Sequence, residues 1–170
     1  MKHIFLVLSV LSVGTLFSQT KAFTKEDTLW GSNTSYRAWW DVTHYDVTVK
    51  PDYTAKTISG NTVIRYKTIS DSLPFVMQVD LQAPLQVDSM FLDKVKFANY
   101  KNENNRWMLT LSSQQKNTEH RLQVFYHGKP KVARNAPWDG GFVWKKDSLV
   151  NPWMSVACQG LGASVWYPWK

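Results

Sequence analysis

Strict alternation of apolar and other residues restricts this chain more than any other feature. In "FVMQVDLQ", Phe75, Met77, Val79 and Leu81 alternate with Val76, Gln78, Asp80 and Gln82. That period of two places successive side chains on opposite faces of a β-strand. "HYDVTVK" repeats it with Tyr45, Val47 and Val49, and "ISGNTVIRYKTI" with Ile58, Thr62, Ile64 and Tyr66. Between those two, "PDYTAK" carries turn chemistry, since Pro51 fixes its backbone angle and Asp52 can accept from the chain ahead. "LQVDSMFL", "VKFAN", "RWMLTLS" and "HRLQVFYH" are further strands, the last with Leu122, Val124 and Tyr126 on one face. Short strands about ten residues apart, divided by Pro, Asn, Asp and Gly, predict an all-β fold of antiparallel sheets, a sandwich or saddle.

The first residues do not belong to that pattern. Lys2 precedes "IFLVLSVLSVGTLF", an apolar run too short to span a bilayer comfortably. A basic residue, a short apolar stretch and small polar residues read as a secretory signal peptide over 1–18, with cleavage as late as Ala22. Residues 19–40 are then an irregular, exposed lead-in, and 41–170 the β-domain. Export is the expected fate, to the periplasm, the cell surface or outside the cell.

Loss of Lys2 leaves 19 basic against 13 acidic residues, a net charge of +6 in place of +7. The basic residues are scattered among acidic ones, which predicts a solvated surface and no nucleic-acid partner. Nothing after the signal is long and apolar enough for a stable membrane span. Cys158, the single cysteine, cannot form an internal disulfide, and in an apolar strand reads as a small buried hydrophobe.

Catalytic and metal-binding patterns are absent. His44, His120 and His127 form neither H-x-x-x-H nor H-E-x-x-H, so no metal site is expected within the chain. Ser155 and Ser164 lack a nucleophile elbow, "GLGASV" lacks the lysine of a phosphate loop, and the carboxylates stand singly. No catalytic residue is nominated, and the chain alone is expected to be inactive.

After Gly128 the texture changes. "APWDGGFVWKKDSLVNPWMSVACQGLGASVWYPWK" holds five of the nine tryptophans. Asp139-Gly140-Gly141 between aromatic flanks predicts a β-hairpin turn there. Tryptophans exposed in a row would stack on sugar rings, as in a free-standing secreted carbohydrate-binding β-sandwich. Buried, they would form core or an interface.

"RAWWDVTHYDVTVKPDYTAKTISGNTVIRYK", "MQVDLQAPLQVDSM" and "PWDGGFVWKKDSLVNPWMSVACQGLGASVWYP", in that order and spacing, resemble the N-terminal domain of the aminopeptidase N family of zinc metallopeptidases. That family includes leukotriene A4 hydrolase, and the likeness is greatest to its exported bacterial branch. The resemblance implies a β-saddle packed beside a thermolysin-like catalytic domain that holds the zinc and its H-E-x-x-H motif. None of the catalytic motifs occurs here, so the chain is expected to be cut before that domain. The resemblance further implies a substrate-facing hairpin whose glutamine holds the free amino terminus of a peptide. The matching positions are Gln159 and Gly160 in "ACQG", with peptide substrate and the catalytic domain as partners. Beside the absent catalytic domain, an apolar surface is expected around Trp153, Val165, Trp166 and Trp169.

Overall fold

The structure, a computed structural model, describes residues 22–71 and 75–170. The signal segment 1–18 lies outside the described residues. The chain divides into two units after Ser32.

In the first unit the lead-in carries a helix, α1 (Lys25–Gly31), that the apolar pattern does not announce. Its start is a capping box: Asp27 N–H donates to Thr24 Oγ1 at 3.2 Å, and Thr24 N–H donates to the Asp27 carboxylate at 2.8 Å. Both satisfy donors that a helix start leaves unpaired.

Among the described residues, the second unit, Asn33–Lys170, is built of ten strands in three antiparallel sheets. These are β1 (Trp40–Asp52), β2 (Thr57–Thr68), β3 (Val76–Asp80), β4 (Gln86–Leu92), β5 (Val95–Phe97), β6 (Tyr100–Glu103), β7 (Arg106–Thr110), β8 (Glu119–Gly128), β9 (Gly141–Lys146) and β10 (Pro152–Ala157). The five-stranded sheet runs β1-β2-β8-β4-β5, the three-stranded sheet β3-β7-β6, and β9 pairs with β10. The β1–β2 turn is fastened by Asp52, whose carboxylate accepts from Ala55 N–H at 2.8 Å. A bulge between Val42 and His44 shifts the β1 register, so Val42 and Tyr45 both reach the core although three positions apart.

The core forms where the two larger sheets meet. Ile64 and Tyr66 of β2, Leu122 and Val124 of β8, and Met77, Val79 and Leu109 of the smaller sheet interlock there. Trp39 and Trp40 close one side of it, each indole N–H finding a carbonyl: Val76 at 2.9 Å and Tyr36 at 3.0 Å. Their rings meet Phe75 and Tyr66 edge to face, with centroids 5.4 and 5.5 Å apart. Lys170 N–H donates to Tyr45 Oη at 2.9 Å, and burial pushes the Tyr45 phenol up to about 12.

Strand β3 departs from the simple two-faced pattern. Its apolar face enters the core, yet Gln78, Asp80 and Gln82 on the other face are buried too. Arg37 donates to the Asp80 carboxylate, Gln78 Nε2 donates to the same group at 2.8 Å, and Gln82 Nε2 donates to Ser164 Oγ at 3.0 Å. Burial pushes the Asp80 carboxyl up, with Arg37 and Gln78 pulling it back. The free edge of β3 is also closed by backbone bonds. Gln78 N–H reaches Tyr36 O at 3.2 Å, Asp80 and Trp169 exchange two bonds at 2.8 and 3.1 Å, and Gln82 N–H reaches Ser164 O at 2.8 Å.

Candidate substrate-facing turn

The predicted hairpin exists, but not where the glycines place it. Its strands are β9 and β10, and its turn is Asp147 to Asn151, where the Asp147 carboxylate accepts from Leu149 N–H at 2.9 Å and Asn151 N–H at 2.8 Å. Those bonds, that from Asn151 N–H first, hold the Asp147 carboxyl below its ordinary value. Asp139-Gly140-Gly141 instead turns the chain into β9, and the Asp139 carboxylate accepts from Arg134 and Asn135 N–H at 2.7 and 2.8 Å. Gly141 is required by crowding: a Cβ there would lie 2.5 Å from Ala133 N, at a φ of +149°.

Register assigns the two faces of the hairpin. Phe142 and Trp144, opposite Val156 and Met154, form one face. Phe142, Trp144 and Val156 belong to a second apolar cluster with Ile58, Leu81, Leu85 and Tyr126. Tyr53 meets Trp144 edge to face at 5.8 Å and donates its hydroxyl to Lys145 O. Trp153 and Lys145 stand on the opposite face, at the turn end.

Gln159 and Gly160 are exposed and follow β10 in a tight turn, past the end of the hairpin rather than on it. The turn is held from several sides. A Cβ on Gly140 would come within 2.8 Å of Gln159 O, so the two backbones are in close contact. Gly162 N–H donates to Cys158 O at 2.9 Å, and Ser164 Oγ donates to Leu161 O at 2.7 Å. Gly162, at a φ of +63°, lies flat on the Trp169 ring, where a Cβ would be 2.6 Å away. Gly160 has a φ of +70° and open space beside it. A free amide is therefore presented on a fixed backbone. Cys158, expected to be buried, is exposed beside it, because β10 ends at Ala157.

The expected apolar surface needs redrawing. Val165 is fully buried, and Trp166 and Trp169 are half-buried. The exposed apolar residues of this region are Val132, Trp138, Leu149, Val150, Trp153 and Met154. Nor do the tryptophans form a row: Trp39 and Trp40 are core, while Trp138 and Trp153 stand exposed. Two open depressions, of about 390 and 520 Å³, are lined by Arg65, Asp93, Glu119, His120 and Arg121, and by Lys131, Val132, Arg134 and Asp139. Gln159 lines neither.

These residues do not suit zinc. His44, His120 and His127 each face one carboxylate, of Asp46, Asp93 and Asp88 respectively. Among the described residues no three His, Cys, Asp or Glu side chains converge. No helix among them is long and apolar enough to cross a membrane.

No protein-family model matches the sequence, and no curated protein matches it. Solved structures do match. Yeast LTA4 hydrolase superposes with a TM-score of 0.60 over 77% of this chain and 20% of its own, at 14% identity. The chain shares the fold of a domain of that hydrolase. An M1 zinc metallopeptidase mutant from Deinococcus radiodurans, bound to a Tyr-Ser-Ala substrate, matches with a TM-score of 0.50 at 18% identity. That match covers 66% of this chain and 25% of the metallopeptidase. The shared fold is all-β and antiparallel, as the alternation predicts, and the chain spans about a fifth to a quarter of the length of these proteins.

Proposed function

We propose that this chain is the N-terminal β-domain of an exported zinc aminopeptidase, contributing substrate-binding residues to an enzyme that removes amino-terminal residues from peptides. The observation that carries the reading is the fold shared with yeast LTA4 hydrolase and with the M1 zinc metallopeptidase bound to Tyr-Ser-Ala. In this reading zinc and the catalytic groups belong to a separate domain. The apolar residues Leu149 and Val150, exposed at the hairpin, supply contact area for it. The segment 1–18 directs export.

Gln159 presents its amide oxygen to the substrate's ammonium group, accepting a hydrogen bond without having to titrate. Gly160, with open space beside it, lets the peptide come close to the backbone. The test is Gln159→Ala in the chain joined to a related catalytic domain. Loss of one hydrogen bond to a charged group is worth about 1.5–3 kcal/mol. That predicts a fall of roughly 10- to 150-fold in kcat/KM, with zinc content and fold unchanged. Peptides with a blocked amino terminus lose little more. Equal losses on free and blocked peptides, or none on either, refute the assignment.

A further inference from the structure

Sheet edges invite other strands, and folded proteins protect them with charges, bulges, shortness or a covering segment. In this domain β1 carries a bulge with His44, Asp46, Lys50 and Asp52, while β5 and β6 have three and four residues. The edge of β3 is covered by Tyr36, Ser164 and Trp169. Strand β10, "PWMSVA", has no protection beyond Pro152 at its first position. It pairs with β9 alone in an unbroken register, bears no charge, and makes no other backbone hydrogen bond among the described residues.

We propose that the open edge of β10 binds an extended, free-ended peptide by antiparallel strand addition. The peptide's polarity rests on the role given to Gln159 above. Strand β10 runs from Pro152 towards Gln159, so an antiparallel partner begins at the Gln159 end and finishes beside Pro152 and Trp153. Lys146 and Lys145, both exposed, lie opposite those two residues. The added strand's end is about two strand spacings, or roughly 10 Å, from β9, and a lysine's four-carbon stem spans much of that gap. A C-terminal carboxylate therefore meets positive charge at one end while the amino terminus meets the Gln159 amide at the other. Parallel addition would set an ammonium group against the two lysines. From Ala157 to Trp153 an extended chain covers about 13 Å, and the turn carries the reach on to Gln159, which suits a peptide of about six residues. Pro152 has no N–H and ends the ladder. Trp153 and Met154, on opposite faces and both exposed, offer contacts to alternate side chains.

The experiment titrates the 170-residue chain with a free-ended hexapeptide of Thr and Val and follows β10 amide hydrogen exchange and affinity. Bound peptide is expected to slow exchange between Trp153 and Ala157. N-methylation of alternate peptide amides on the pairing edge weakens binding about tenfold or more. Amidating the carboxylate weakens it about two- to fivefold at low salt, a difference that Lys145→Gln with Lys146→Gln removes. Unchanged β10 exchange at saturating peptide, full binding of the N-methylated peptide, or no binding at millimolar peptide overturns the proposal. The two readings separate cleanly. If an acetylated amino terminus binds equally well while N-methylation still weakens binding, the Gln159 role fails and strand addition stands. If acetylation weakens binding but β10 is unprotected, strand addition fails and the Gln159 role stands.

Discussion

Arg37 and Asp80 form an ion pair inside the β-domain, with side chains only 11% and 3% exposed. Removing one member strands the other's charge away from water. Asp80→Leu is expected to cost about 3–5 kcal/mol, read as a fall in the denaturant midpoint. Asp46→Asn, at an exposed pair with Arg65, is expected to leave that midpoint unmoved. Similar shifts in both variants would place the stabilisation outside the pair.

The hairpin turn should loosen in acid. Asp147 titrates below the ordinary carboxylate value of 3.8 because its ionised form accepts from Asn151 N–H. A depressed folded value means the stabilisation is complete above 3.8 and is lost as pH falls through the folded value. Amide exchange at Leu149 and Asn151, corrected for intrinsic rates, is expected to quicken over that fall. Asp147→Asn is expected to abolish the transition. A transition persisting in that variant would mean another group controls the turn.

Gly140 and Gly160 separate crowding from backbone strain. Gly140→Ala drives a methyl into the Gln159 carbonyl, so the turn must move, at about 1–3 kcal/mol for an overpacked site. Gly160→Ala meets no neighbour but keeps a φ of +70°, costing about 1–2 kcal/mol with Gln159 left in place. Backbone chemical shifts of Gln159 are expected to change far more in the first variant. The reverse order would deny that Gly140 positions this turn.

Leu149, Val150 and Trp153 are exposed together at the turn end of the hairpin. The folded chain is expected to bind an apolar dye or to self-associate, and the triple change to serine to reduce both. Val165→Ser is expected instead to unfold the domain partly, because that side chain is fully buried. Dye binding that ignores the triple variant would locate the apolar surface elsewhere.

Alternation made most of the fold legible because β2, β3 and β8 each bury one face, although Val47 on the apolar face of β1 is exposed. Leu122, Val124 and Tyr126 are buried together as their spacing requires. What alternation cannot specify is what covers the second face. Gln78, Asp80 and Gln82 look like a solvent face, but Arg37 and Ser164, distant in sequence, enclose them. The helix α1 is too short for a period to develop, and only Thr24 and Asp27 announce it. Strand β6 shows no alternation, because "YKNE" has almost no apolar residue. Asp139-Gly140-Gly141 does not mark the hairpin turn, because these glycines serve close approach of backbones. The actual turn sets Val150 at a φ of +67°, a value β-branched residues rarely adopt. Gln159 drew notice through a family resemblance, whereas Gly140 and the uncharged run of β10 needed coordinates to acquire meaning.

The closure of β3 has a consequence for synthesis. Its edge is sealed from one side by Tyr36 and from the other by Ser164 and Trp169. A ribosome releases these residues in order, so β3 emerges long before half of its seal exists. During that interval the edge lies open to any passing strand, the exposure that makes nascent β-proteins prone to aggregate. Protection from aggregation is therefore needed until Trp169 has paired with Asp80 and closed the edge.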